Sequence, residues 1–412
     1  MMRLLYSIGL YLFNAAIHLA ALFNYKARLW VHGRRHVFDF LKEQCQGKQH
    51  IIWFHAASLG EFEQGKPLMQ QYRASQPDAT ILVTFFSPSG YEVKKNDKAA
   101  DIICYLPLDT PCNARQFLDI VPVEKAIFVK YEYWYNYMRQ LNMREVPFYY
   151  ISAIFRPSQY FFRPYGKWFA NQLKTCTYFF VQNEISKKLL HSIGINQAEI
   201  TGDTRFDRVY DISKQAYELD FVKDFCNENT KLIVAGSTWE PDERLLKQLL
   251  DQLPDNYKLV LAPHLIDAGH ITRIKEHFHD FPLVCYTEKE NKQLSDYRVL
   301  VIDTIGILSK IYKYSYISYI GGAFETGLHN ILEAAVFGVP LFFGPHYEKF
   351  NEAVQLVALQ GAFSITSYEE MLQKCKLYAS SPEAYTAVCE ICKKYVESNL
   401  GSCQKIMSKL VN

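Results

Sequence analysis

The sequence predicts an α/β protein built of two doubly wound units, and three observations lead there. From about residue 50 short apolar runs alternate with helix-like stretches, the pattern of a parallel sheet covered on both faces. The alternation comes in two series of similar size, separated by a charged stretch, 206–229, that lacks a strand pattern. Each chemically interesting motif follows directly on a predicted strand, beyond the carboxyl ends where open α/β sheets bind ligands. A length of 412 residues suits two domains.

The N-terminus stands apart. Residues 4–23 are mostly apolar, interrupted by Ser7, Asn14 and His18, and Lys26, Arg28, Arg34 and Arg35 follow. That is roughly the 20 residues a membrane span requires. No small-residue cleavage site marks it as a signal peptide, and the cations behind it predict a cytoplasmic body. We expect a membrane-associated helix over 1–25, with spanning, surface-lying and body-packed arrangements all open. The first unit, 26–207, is expected to carry strands at 51–55, 80–85, 102–106, 126–129, 148–152 and 178–182, with helices running to about 74 and over 184–193. The second, 208–412, has strand patterns at 231–235, 257–262, 283–286, 299–302, 316–320 and 339–343. One helix starts near 241, another opens near His329-Asn330, and the last is expected to pack back on the first unit. With two such units facing each other, the site is expected in a central cleft.

A composition 49% hydrophobic and 21% charged supports an ample core, and a net charge of only +2 argues against nucleic acid as a partner. The ten cysteines are scattered. The close pair Cys389 and Cys392 lies in a helical pattern with no second pair, so ordinary reduced thiols are expected. No Walker, Rossmann-glycine or His-Glu-x-x-His pattern appears. The lack of an Asp-x-Asp pair gives no support to a metal-bridged diphosphate, and neither metal nor cofactor is expected.

The stretch 320–351 is the most telling. Its first strand ends at Gly321-Gly322, where backbone can approach a ligand closely. The helix opening at His329-Asn330 offers N–H groups to an anion, and Glu333 in its first turn could bind a ribose diol. A sugar nucleotide fits these parts. Glu61 lies in Ser58-Leu-Gly-Glu61 at a strand-to-helix turn. It suits a capping box or a general base, kept ionised by the helix dipole. Glu132, among Tyr131, Tyr133 and Trp134, could orient substrate, hold a proton or merely sit in solvent. Arg205 could neutralise an anionic ligand or pair with Asp203 or Asp207. Ser237-Thr238 and the helix after them could bind phosphate or simply cap.

Taken together, Ser58-Leu-Gly-Glu61, Glu132-Tyr-Trp-Tyr-Asn136, Thr201-Gly-Asp-Thr-Arg205-Phe-Asp207, Gly236-Ser-Thr238, Ala262-Pro-His264, Asp303-Thr-Ile-Gly306 and the stretch from Gly321 to Phe350 resemble the 3-deoxy-D-manno-octulosonic acid (Kdo) transferases, in order and over nearly the whole chain. The resemblance implies a GT-B fold and an inverting glycosyltransferase that moves Kdo from CMP-Kdo to a lipid A precursor in lipopolysaccharide synthesis. It implies a place at the cytoplasmic face of the inner membrane. It assigns the base to Glu61 and transition-state stabilisation to Glu132 and Arg205. CMP contacts map to Pro263-His264, Ile305-Gly306-Ile307 and Asn330-Ile331-Leu332-Glu333, and Ser58, Ser237, Thr238, Gly321, Gly322 and His329 are candidates for phosphate or Kdo. His264 stands where many members have arginine, Arg205 where many have lysine, and Ile307 where many have glutamate. A different two-domain nucleotide-sugar enzyme, such as an epimerase, and a non-catalytic nucleotide-sugar binding protein are the alternatives.

Overall fold

The computed structural model describes residues 2–215, 217–325 and 327–411. The chain forms two compact units, Met1–Arg208 with Leu400–Asn412, and Val209–Asn399.

The first unit is built on a sheet of seven strands, all parallel, in the order β3-β2-β1-β4-β5-β6-β7. These are β1 (Ile51–Ala56), β2 (Thr80–Phe85), β3 (Ile102–Tyr105), β4 (Val123–Val129), β5 (Phe148–Ala153), β6 (Tyr178–Val181) and β7 (Ala198–Ile200). Every residue of β1 is buried, because its two faces serve two cores. Ile51 and Trp53 point into one, with Phe117, Tyr137 and Phe169. Ile52, Phe54 and Ala56 point into the other, with Phe62, Leu68 and Met69 of the helix Leu59–Ser75. Chain order reverses between β1 and β4, so their carboxyl ends flank a topological switch point, the crevice where such sheets hold ligands.

The second unit repeats the plan with strands β8 (Lys231–Thr238), β9 (Tyr257–Pro263), β10 (Leu283–Cys285), β11 (Val299–Val301), β12 (Ile317–Ile320), β13 (Leu341–Phe343) and β14 (Ala362–Ser364). Its parallel sheet runs β10-β11-β9-β8-β12-β13-β14, so the reversal falls between β8 and β12. Ser237, at the irregular end of β8, has φ +55, and Lys130, just past β4, has φ +65. Left-handed backbone at a non-glycine residue is strained, and here it occurs beside both switch points.

Several expectations change. The edge strands β7, Ala-Glu-Ile, and β14, Ala-Phe-Ser, were not expected: each includes a polar residue and buries only its first residue fully. The charged stretch after residue 206 is largely helical, as Thr204–Lys214 and Asp220–Phe225. The helix expected at His329-Asn330 is a single turn, Leu332–Ala335. The N-terminal helix, Met2–Ala20, is not an isolated apolar rod. Leu10 and Ile17 pack with Trp30, Val31 and Leu108, while Leu4, Leu12 and Leu19 are about two-thirds exposed. Among the described residues no helix is long and apolar enough to cross a membrane, so the spanning arrangement has no support there.

Two carboxylates tie the first unit together. Asp207 accepts from the Gly401 and Cys403 N–H groups, both at 2.7 Å, and so caps the helix Ser402–Leu410. That helix buries Ile406 and Leu410 in the core under Phe62. Asp109, wholly buried, accepts from the Asn136 and Tyr137 N–H groups at 3.0 and 2.9 Å and from the Tyr6 hydroxyl at 2.7 Å. Burial raises its pKa to about 7, against the pull of those three donors. It thereby fastens the N-terminal helix and the start of the helix Tyr135–Met143 at one point. Replacing Asp109 by Ala should cost more than about 2 kcal/mol, since it removes a cap and strands buried donors. Urea unfolding of the variant beside the unsubstituted protein measures this.

Candidate active site

The first unit gathers its candidate residues at the β1/β4 crevice. Glu61 occupies the first turn of the helix Leu59–Ser75 and is 5% exposed. Its Oε2 accepts from the backbone N–H of Ala57 at 2.5 Å and of Ser58 at 3.2 Å. The carboxylate thus folds back over the turn that leaves β1, and Ser58 serves this turn through its backbone. The expected lowering of its pKa by the helix start does not hold. Burial, and then the charge of Glu132, raise it to about 8, outweighing the two N–H donors and the charge of Lys130.

Glu132, just past β4, is held from behind. Trp134 Nε1–H lies 3.0 Å from its Oε2 and 2.9 Å from His55 Nε2, and His55 Nε2 is 3.4 Å from the same Oε2. Glu132 lines a cavity of about 440 Å³ together with Tyr6, Tyr131, Trp134, Arg156 and Tyr160. Arg205 is ion-paired with Asp203, at 2.8 Å. Asp203 also accepts from Gln64 Nε2, one helical turn beyond Glu61, and the Thr204 hydroxyl donates to the Gln64 carbonyl at 2.6 Å. Burial pushes the Asp203 carboxyl up, but Arg205 and its hydrogen bonds win and hold it below the usual carboxylate range. The alternative pairing of Arg205 through Asp203 is therefore present, and it docks the arginine on the helix that carries Glu61.

In the second unit the β8/β12 crevice is walled by three rings. Trp239 stacks on His264, with centroids 4.8 Å apart and planes 24° from parallel, and His264 stacks on His329 at 4.6 Å and 28°. Burial lowers both imidazole pKa values, and the neighbouring His264 charge adds to the effect at His329, which reaches about 4. Both rings are neutral at pH 7, so His264 does not supply the fixed charge of an arginine. Nearby, Asn330 Nδ2–H donates to Glu333 Oε1 at 3.0 Å, and Asn330 Oδ1 accepts from Leu332 N–H. The loop 305–307 leaves Ile305 82% exposed, and Gly306 takes φ +98 before Ile307 enters the next helix.

Thr238, Gly322 and Gly321, three of the phosphate candidates, have contacts within the protein. The Thr238 hydroxyl is buried and donates to Glu243 Oε1 at 3.1 Å, while Glu240, Asp242 and Glu243 crowd the first turn after Ser237-Thr238. That helix start repels an anion. Gly322 N–H donates to Asp242 Oδ2 at 3.0 Å, so this backbone donor already has an acceptor. Gly321 is required by packing: a Cβ there would meet the Ser237 carbonyl at 2.4 Å. Pro263 and Ile331 are buried.

A family domain described as 3-deoxy-D-manno-octulosonic-acid transferase (kdotransferase) matches residues 32–208. The 3-deoxy-D-manno-octulosonic acid transferase of Haemophilus influenzae is 28% identical over 375 residues, covering 87% of this chain and 86% of that protein. That of Aquifex aeolicus is 24% identical over 347 residues, 81% and 88% of the two chains. Residues 32–208 thus carry a Kdo transferase domain, and the chain is similar to Kdo transferases over most of its length. It is accordingly a glycosyltransferase. In fold it is also similar to a UDP-GlcNAc 2-epimerase from Neisseria meningitidis, with a TM-score of 0.62, 15% identity and 88% and 99% of the two chains covered.

Two residues at these crevices escaped the sequence reading. His55 is the final residue of the predicted strand 51–55, and a histidine at the carboxyl end of a buried strand was the available signal. Trp239 follows β8 directly and could have been found the same way.

The raised pKa of Glu61 has a consequence for stability. Folded Glu61 keeps its proton through a window, from about 4.5 to about 8, in which the unfolded chain has released it. Its contribution therefore declines as pH rises through that window. Glu61→Gln mimics the protonated form and can still accept from Ala57 and Ser58. The variant should gain Tm over the unsubstituted protein near pH 8 and match it near pH 5, in thermal melts across that range.

Proposed function

We propose that the protein transfers Kdo from CMP-Kdo to a hydroxyl of a lipid A precursor, with inversion, in lipopolysaccharide synthesis. The observation that carries this reading is Glu61: a buried carboxylate in the capped first turn of a helix, its pKa raised to about 8. A general base is most effective when its pKa lies near the working pH. In a single displacement Glu61 takes the acceptor O–H proton as that oxygen bonds to the anomeric carbon of Kdo. The bond from that carbon to the CMP phosphate breaks, and CMP leaves with the electron pair. Glu132 and Arg205 are assigned to stabilising the transition state, with Lys130 adding positive charge near Glu61.

The CMP moiety falls to the second unit. His264 and His329 offer ring faces and neutral ring nitrogens, 305–307 an exposed loop, and Asn330 with Glu333 a pair of polar groups suited to a ribose diol. Pro263, Ile331 and Leu332 hold this frame. The reaction as proposed calls on no metal or cofactor.

We place the enzyme at the cytoplasmic face of the inner membrane, its N-terminal helix lying on the lipid through Leu4, Leu5, Leu12 and Leu19, whose side chains are exposed. Such a helix adsorbs by its apolar face, aided by cations against anionic lipid.

Glu61→Ala should lower acceptor-dependent CMP release by more than about 100-fold while leaving CMP binding intact by calorimetry. Full activity in that variant would sink the base assignment, and CMP-Kdo binding without any release in the unsubstituted protein would favour a non-catalytic binder. The double variant Leu4→Asp, Leu12→Asp should lose co-sedimentation with phosphatidylglycerol-containing vesicles and keep activity on detergent-dispersed acceptor.

A further inference from the structure

His55 is wholly buried at the end of β1, opposite Thr84 of β2. Its Nδ1 lies 3.0 Å from the Thr84 carbonyl oxygen and 2.9 Å from the Thr84 hydroxyl, which also accepts from Trp53 Nε1–H at 2.8 Å. A carbonyl oxygen only accepts, so the contact to it requires the proton on Nδ1. On the other side an indole N–H only donates, and Trp134 Nε1 sits 2.9 Å from Nε2. The two constraints agree on one tautomer: Nδ1 protonated toward Thr84, Nε2 bare toward Trp134. Trp134 in turn shares its N–H with Glu132 Oε2 at 3.0 Å. Its ring is fixed by Phe86, with centroids 4.9 Å apart, and by His55 edge-on at 6.1 Å. A buried chain therefore runs from Thr84 through His55 and Trp134 to Glu132, built from one carboxylate and otherwise rigid rings and backbone.

We propose that His55 is a positioning residue for the transfer reaction, which with Trp134 pins the Glu132 carboxylate so that its charge stands beside Glu61. The inference rests on the reading of Glu61 as the base. The groups that bear on Glu61 are Glu132 and Lys130, both from the segment after β4. Tyr131, between those two, also stands in the field of Arg156 and Arg205. Within that set Glu132 is the carboxylate that raises the proton affinity of Glu61; the Trp134 N–H holds its Oε2, and the bare Nε2 of His55 orients that N–H. Removing the imidazole frees Glu132 to turn away, which weakens Glu61 as a base, although His55 itself, wholly buried, touches no substrate.

The test uses the full chain with CMP-Kdo and a lipid A precursor, following kcat and KM from about pH 5 to pH 10. His55→Asn keeps a donor for Thr84 and loses the acceptor for Trp134. It should lower kcat by roughly tenfold or more, shift the acid limb of kcat/KM to lower pH and leave KM for CMP-Kdo unchanged. His55→Gln, whose amide oxygen can reach toward the indole, should recover part of both. A residue that only fills the core would lower Tm and the active fraction with the acid limb in place, and that outcome overturns the proposal. If His55→Asn fails to fold, Trp134→Phe, which removes the shared N–H, is held to the same shift. Glu61→Ala run alongside separates the two readings: if it stays active, the base assignment falls, and if it is dead while the limb of His55→Asn is unmoved, only the role of His55 falls.

Discussion

The burial of one carboxylate, Glu61, sets terms for everything around it in the first unit. An acid in the first turn of a helix normally gains from the dipole and from free N–H groups. Here Ala57 and Ser58 supply those N–H groups, yet the proton is held more tightly than in water. Desolvation is the larger cause and the Glu132 charge the second. Two carboxylates sharing a shielded site require nearby positive charge. Lys130 provides some of it from a strained left-handed backbone, while Asp203 and Gln64 keep Arg205 docked on the helix that carries Glu61. The strain at Lys130 is thus tied to placing the loop that follows, since Glu132 lies two residues on.

The strand plan was legible because parallel strands buried on both faces are nearly continuous apolar runs. β1, for example, is Ile-Ile-Trp-Phe-His-Ala, every residue inside. β7 and β14 were not, because Ala-Glu-Ile and Ala-Phe-Ser each include a polar residue and bury only their first residue fully, unlike the equally short Leu-Val-Cys of β10. The residue types at both crevices were also legible, because they follow strand ends. Their hydrogen-bond partners were not. Gly322 looks like open backbone in the sequence, and only folding brings Asp242 onto its N–H. Thr238 looks like a cap, and Glu243 takes its hydroxyl. The sign of the Glu61 shift was missed for the same reason: the dipole is local and readable, whereas Glu132 lies 71 positions along the chain and arrives through the pairing of β1 with β4.

The second unit handles polarity differently. Its crevice has neutral stacked rings, and three carboxylates sit in the first turn after β8. Asp242 among them accepts from the Tyr319 hydroxyl and from the Trp239 and Gly322 N–H groups, so it fastens the ends of β8 and β12 together. A group so fully bonded is structural. In the function we propose, recognition in this unit falls to surfaces with unmet capacity, such as the stack: the Trp239 Nε1 and His329 Nε2 atoms are both buried with no hydrogen-bond partner among the described residues. An unpaired buried donor or acceptor is costly, and a polar ligand that satisfies it recovers that cost on binding.

The identity of residue 61 follows from two demands that meet in one side chain. Reaching back from the third helical position to the N–H groups of the preceding turn takes the length of Glu or Gln, as in a capping box. Aspartate is a methylene too short for the same bridge. Exchanging a proton near neutral pH requires a titratable group, which excludes Gln. Histidine titrates in that range, but it lacks the second oxygen that leaves a carboxylate free to face a substrate while the first stays on the backbone. In Glu61 it is Oε2 that takes both N–H groups, leaving Oε1 for chemistry. The capping interpretation of Ser58-Leu-Gly-Glu61 and the catalytic one we propose are therefore the same arrangement seen from its two oxygens, and under that proposal the cap holds the base still.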